Sequence, residues 1–118
     1  MKILDCTLRD GGYYTNWDFN KDLVSVYCKA MESLPIDYVE IGYRSPPIEG
    51  YLGEYFYCPE YVMQKMKEMM PSKKLAILLN EKDIKLSNVN KLLSPCKDYI
   101  TMVRIALNPA NLLKAFDF

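Results

Sequence analysis

The 118-residue chain contains no histidine. That absence excludes His-based catalytic triads and imidazole metal ligands from within this chain. It also has no net charge, because fifteen Lys and Arg balance fifteen Asp and Glu. No overall field draws the molecule toward nucleic acid or an anionic membrane, so function must come from a local site. Nor is there a C-x-x-C pair: Cys6, Cys28, Cys58 and Cys96 lie far apart. Such spacing fits reduced, mostly buried thiols better than a disulfide framework or a zinc site. No stretch approaches the roughly 20 apolar residues needed to cross a bilayer. The N-terminus, Met1-Lys2-Ile3-Leu4-Asp5, has no apolar leader segment. These features give the expectation of a soluble, cytoplasmic protein. Internal repeats, low-complexity segments and linkers are lacking too.

What is present is half hydrophobic by count, enough to build the core of one domain. Residues 2 to 8 predict a short strand. It runs into Arg9-Asp10-Gly11-Gly12-Tyr13, where the two glycines permit a sharp turn at positive φ. Asn20 predicts the cap of a helix whose Leu23, Val26, Tyr27, Ala30, Met31 and Leu34 recur at helical spacing, stopped by Pro35. Tyr38 to Tyr43 predicts a second strand, with Val39 and Ile41 on one face and Glu40 on the other. Residues 44 to 57, with Pro46, Pro47, Gly50, Gly53 and four aromatics, predict a long connection. Such a segment acts as a lid, binding loop or interface, or else its aromatics merely cover a helix end.

Pro59 predicts the first residue of a helix with Val62, Met63, Met66, Met69 and Met70 inward, ended by Pro71. Helical spacing accounts for that methionine stripe as core packing. The apolar run Leu75 to Leu79 suits a strand buried on both faces of a parallel sheet. A short helix around Asn88 to Leu93, capped by Ser87, precedes a fourth strand, Tyr99 to Ala106. Asn108 and Pro109 then predict a helix through Leu112, Leu113 and Phe116. The alternation predicts an α/β fold: a parallel (β/α) half-barrel of four βα units, where a complete TIM barrel needs about 250 residues. The chain is therefore expected to be the N-terminal part, residues 1–118, of a longer protein.

Two charged features stand out. Arg9 and Asp10 at a strand end are either part of a site or a solvated turn pair. Glu40, on a strand face opposite aliphatics, needs a partner, since a buried charge is costly alone. Arg104 in the fourth strand is a candidate for that partner.

The stretches DCTLRDGGY, TNWDF, Tyr38-Val39-Glu40-Ile41-Gly42-Tyr43-Arg44 and Val103-Arg104-Ile105-Ala106 resemble the N-terminal half of the DRE-TIM metallolyase superfamily. That superfamily includes hydroxymethylglutaryl-CoA lyase and isopropylmalate synthase, and the 4-hydroxy-2-oxovalerate aldolase branch is the most similar. The resemblance implies an aldolase or lyase acting on 2-oxo acids through enolate chemistry, with Mg²⁺ or Mn²⁺ as cofactor. It implies Asp10 as a metal ligand, Arg9 as the residue stabilising the enolate, Glu40 as the group steadying Arg9, and Arg104 as a substrate-binding residue. The chain departs from the branch at two points. Tyr13 stands where the branch has a histidine that looks like its base, and a phenol of ordinary pKa about 10 is a poor base near neutrality. The metal site of the superfamily is completed by a His-x-His pair that this chain lacks. The isolated chain is accordingly expected to bind metal weakly, to be inactive and to form homo-oligomers through exposed half-barrel edges. The alternative is a non-catalytic binding or scaffold domain.

Overall fold

The computed structural model describes residues 1–110. Four strands form one parallel sheet in the order β1-β2-β3-β4: β1 (Leu4–Asp5), β2 (Tyr38–Tyr43), β3 (Lys74–Asn80) and β4 (Ile100–Ala106). Helices alternate with them: α1 (Thr7–Gly11), α2 (Lys21–Ser33), α3 (Glu54–Tyr57), α4 (Glu60–Met69) and α5 (Val89–Leu93). Sequential parallel strands joined by helical crossovers are the geometry of a partial barrel, as expected. The expected helix through Leu112 and Phe116 lies outside the described residues. Just before that stretch, Asn108 Oδ1 accepts the Ala110 N–H at 3.0 Å.

β3 is buried throughout Leu75–Leu79, as a near-continuous apolar run should be in a parallel sheet. Over the sheet, α2 and α4 meet through Cys28 and Met66, whose sulfurs lie 3.8 Å apart. Val62, Met63, Met66 and Met70 are buried, so the methionine stripe is core. Asn20 caps α2, its Oδ1 accepting from Asp22 and Leu23 N–H groups at 2.8 and 3.2 Å. The buried face of α2 is Val24, Cys28 and Met31, while Leu23 and Val26 are exposed. The predicted apolar face was therefore rotated; the buried thiol, rather than the surface aliphatics, marks it. Pro59 stands just before α4 rather than at its first residue, and Ser87 lies within a 3-10 turn instead of capping α5. Part of the long connection after β2 is ordered as α3, with Tyr55 and Phe56 buried.

The largest departure is at the first motif. β1 ends at Asp5, and Thr7–Gly11 is helical. Asp5 makes the change of direction by accepting the Thr7 N–H at 3.1 Å and the Thr7 hydroxyl at 3.0 Å, a local side-chain bond that competes with strand pairing. Gly11 and Gly12 have φ of −67° and −60°, so neither uses the positive-φ freedom expected of it. Gly12 is needed for space instead: a Cβ there would lie 2.0 Å from Trp17 Cδ1. Positive φ follows instead at Asn16 and Trp17, at 54° and 57°, a conformation that is costly for a bulky side chain.

Candidate functional site

The site lies at the C-terminal end of the sheet, where parallel α/β folds place their chemistry. β2 supplies Glu40, whose side chain is fully buried. The register between β2 and β3 shifts between Glu40 and Gly42; a bulge of this kind re-aims side chains locally. The Glu40 carboxylate accepts from two guanidinium groups. Arg9 Nε donates to Oε1 at 2.8 Å; Arg104 Nε donates to Oε2 at 2.7 Å, and its Nη2 to Oε1 at 3.3 Å. Both carboxylate oxygens are thus satisfied by charged donors, the arrangement in which a buried carboxylate is tolerable.

Arg9 is held at its backbone as well. Trp17 Nε1 donates to the Arg9 carbonyl at 2.8 Å, and Trp17 is buried in edge-on contact with Tyr13 and Tyr43, at centroid distances of 4.8 and 5.4 Å. The Arg9 side chain is only 14% exposed. Burial tends to lower its pKa, but hydrogen bonding to Glu40 and that carboxylate's charge outweigh burial and raise it. Arg9 is therefore a fixed cation whose Nε is committed to Glu40.

Beside it, the Tyr13 and Tyr43 hydroxyls are 2.6 Å apart. Burial, followed by the hydrogen bond with Tyr13, pushes the Tyr43 phenol up, against an opposing effect of Arg9. Tyr43 consequently keeps its proton near neutrality and is no base; in its bond with Tyr13 either hydroxyl can donate. The two tyrosines also wall a cavity of about 240 Å³ with Trp17, Phe56, Leu52 and Ile48, so the aromatic connection after β2 covers this end of the sheet. α3 can lie this close to β2 because residue 42 is glycine; a Cβ there would be 2.0 Å from the Tyr55 carbonyl oxygen.

Of the four sequence-derived site residues, Arg9, Glu40 and Arg104 come together. Asp10 stands outside that cluster, its side chain 71% exposed and its Oδ1 3.4 Å from Arg9 Nη1. Among the described residues no group of three or more Cys, Asp and Glu side chains converges as a set of cation ligands. Asp10 alone is too small a donor set for a divalent cation, so the described residues do not fit the implied metal by themselves. Tyr43 and Trp17 were missed as site residues by sequence reasoning. Trp17, the single tryptophan within the TNWDF stretch, offered a signal; Tyr43 offered none beyond its place at a strand end.

No family model matches the chain, and no curated protein matches it. Among solved structures it is similar to one described as the N-terminal domain of a putative aldolase from Bacteroides vulgatus, with 50% identity and a TM-score of 0.92. The likeness covers 98% of this chain and 38% of that one. The chain is thus related over nearly its whole length to the N-terminal domain of that protein, and it spans well under half of that protein's chain.

Proposed function

We propose that the chain supplies one half of the active site of an aldolase-like lyase acting on 2-oxo acids. The observation that carries this reading is the buried Glu40 carboxylate holding Arg9 and Arg104 at 2.7–2.8 Å at one end of a parallel sheet. In aldol chemistry a proton is lost, or a carbon–carbon bond breaks, next to a carbonyl, and negative charge develops on the carbonyl oxygen. Arg9 is suited to meet that oxyanion: it stays charged at any working pH, and its orientation is set before substrate arrives. Glu40 acts as a positioning residue through its bond to Arg9 Nε. Arg104, 42% exposed at its side chain, remains accessible and would take the substrate carboxylate. Tyr43 would donate a hydrogen bond to a substrate oxygen.

A divalent cation, Mg²⁺ or Mn²⁺, belongs to this proposal with Asp10 as one ligand. The remaining ligands would have to come from outside the described residues, so no step is assigned to it. The similarity to the aldolase N-terminal domain supports the reading in general terms. Retro-aldol cleavage of a 4-hydroxy-2-oxo acid, followed by pyruvate release with the protein containing this chain, tests it. Metal-dependent release that falls in Arg9→Ala is expected. Tight binding of 2-oxo acids with no turnover under any metal would instead favour a non-catalytic binding domain on the same scaffold.

A further inference from the structure

A second cavity, of about 450 Å³, lies away from the Glu40 cluster, between the start of the connection after β2 and α5. Its volume falls within the roughly 300–1,000 Å³ of small-molecule sites. Pro46, Pro47 and Tyr57 give it stiff, apolar walls, and its charged lining residues are Arg44 and Lys91, with no carboxylate among them.

Arg44 is built into place. Its Nε donates to the Leu92 carbonyl at 2.9 Å, and its Nη1 to the Tyr57 and Cys58 carbonyls at 3.1 and 3.3 Å. These acceptors are neutral, so they orient the guanidinium without neutralising it. The Leu92 carbonyl belongs to the last turn of α5, where helix carbonyls need outside donors. Nη2 bonds no oxygen among the described residues, the Cys96 thiol being the only other group close to the guanidinium there, and neither Arg44 nor Lys91 forms an ion pair there. Two uncompensated cations beside proline and tyrosine surfaces suit a ligand with an anionic head and a flat apolar body.

We propose that this cavity binds a small aryl or similarly flat organic oxyanion, with its charged head between Arg44 and Lys91 and its body against Pro46, Pro47 and Tyr57. Because Arg44 ties the end of the connection at Tyr57 and Cys58 to α5, occupancy would also brace the segment that carries Phe56 to the Trp17–Tyr43 cluster.

The test is a titration of the 118-residue chain followed by amide ¹H–¹⁵N shifts, with benzoate, phenyl phosphate and inorganic phosphate as probes. The expected result is a saturable response at Ser45, Tyr57, Asn88 and Lys91 to at least one aryl anion, the stronger of the two identifying a carboxylate or phosphate head. Inorganic phosphate should bind about tenfold more weakly, for want of the apolar contacts. Lys91→Gln, and Asn88→Asp, which adds a carboxylate to the lining, should each weaken the aryl anion by about tenfold. An unmoved Trp17 indole resonance would certify that the variants are folded. Shifts scattered over unrelated lysines, inorganic phosphate binding as well as the aryl probes, or indifference to both substitutions would overturn the proposal.

Discussion

Replacing Glu40 with glutamine keeps the volume of the side chain and removes the only negative charge between two guanidinium groups. Breaking a buried ion pair by deleting one partner costs about 3–5 kcal/mol, because the other charge stays buried. The two arginines do not share that cost equally. Arg104 is 42% exposed and can be rehydrated, so its loss tends toward the ~0–1 kcal/mol of a surface pair. Arg9 at 14% exposure cannot, and its position is fixed by the Trp17 bond to its carbonyl. Glu40→Gln should therefore destabilise the chain by about 3 kcal/mol, most of it through Arg9. With a urea m-value of about 1.5 kcal/mol/M, the midpoint should fall by about 2 M. Arg104→Gln leaves the Arg9–Glu40 pair intact but takes the charged donor from the buried Glu40 Oε2, and should cost about 1–3 kcal/mol, less than Glu40→Gln. The single tryptophan, in contact with this cluster, reports unfolding by fluorescence. Equal stability of Glu40→Gln and the parent, or a larger cost for Arg104→Gln, would refute the assignment of Glu40 as the anchor of Arg9.

The two glycines of the first motif should behave oppositely in thermal melts. Gly12→Ala places a Cβ 2.0 Å from the Trp17 ring and should cost at least about 2 kcal/mol. Gly11→Ala meets nothing within 4 Å at a helical φ of −67° and should be neutral or stabilising by about 0.5 kcal/mol. Asn20→Ala removes the acceptor of two N–H groups at the start of α2 and should cost about 1 kcal/mol in urea unfolding. Burial pushes the Cys28 thiol up to about 11 from an ordinary 9, against a smaller opposing effect of Lys65. The folded state thus holds this proton longer than the unfolded chain, so Cys28 makes stability fall as pH rises between about 9 and 11. At pH 8 the Cys28 thiol should react with a disulfide reagent only at the rate of unfolding, as measured by absorbance with and without urea.

The strand order, the parallel sheet and the methionine core were legible in the sequence because they follow from local periodicity. β3 is an uninterrupted apolar run, and alternation of such runs with helices leaves few topologies. Phase was less legible. Leu23 and Val26 fit a helical stripe on α2 as well as Val24 and Cys28 do, and only the packing of α4 against Cys28 decides between them. At the first motif the turn chemistry misled. Gly12 answers to the bulk of Trp17, five residues further on, while Gly11 merely sits in a helix that follows the Asp5 turn. Proximity of Glu40 to Arg104 could be inferred from strand faces, but its clamp on both arginines also needs Arg9 brought to Oε1 from α1, a helix that no local pattern announces. The exposure of Asp10 could not be read either, since an Arg-Asp pair looks alike in a strand-end turn and in a helix.

In the proposed reaction Arg9, held by Glu40, stabilises charge on a substrate carbonyl oxygen. Exchange of the pyruvate methyl protons into D₂O, followed by NMR with Mg²⁺ or Mn²⁺ and the protein containing this chain, measures that role. Catalysed exchange is expected, falling by about 10²–10³ in Arg9→Ala, and by less in Arg9→Lys, which keeps the charge but loses the Nε donor to Glu40. Exchange at an unchanged rate in Arg9→Ala, or no exchange by the parent protein with either metal, would rule out this role for Arg9.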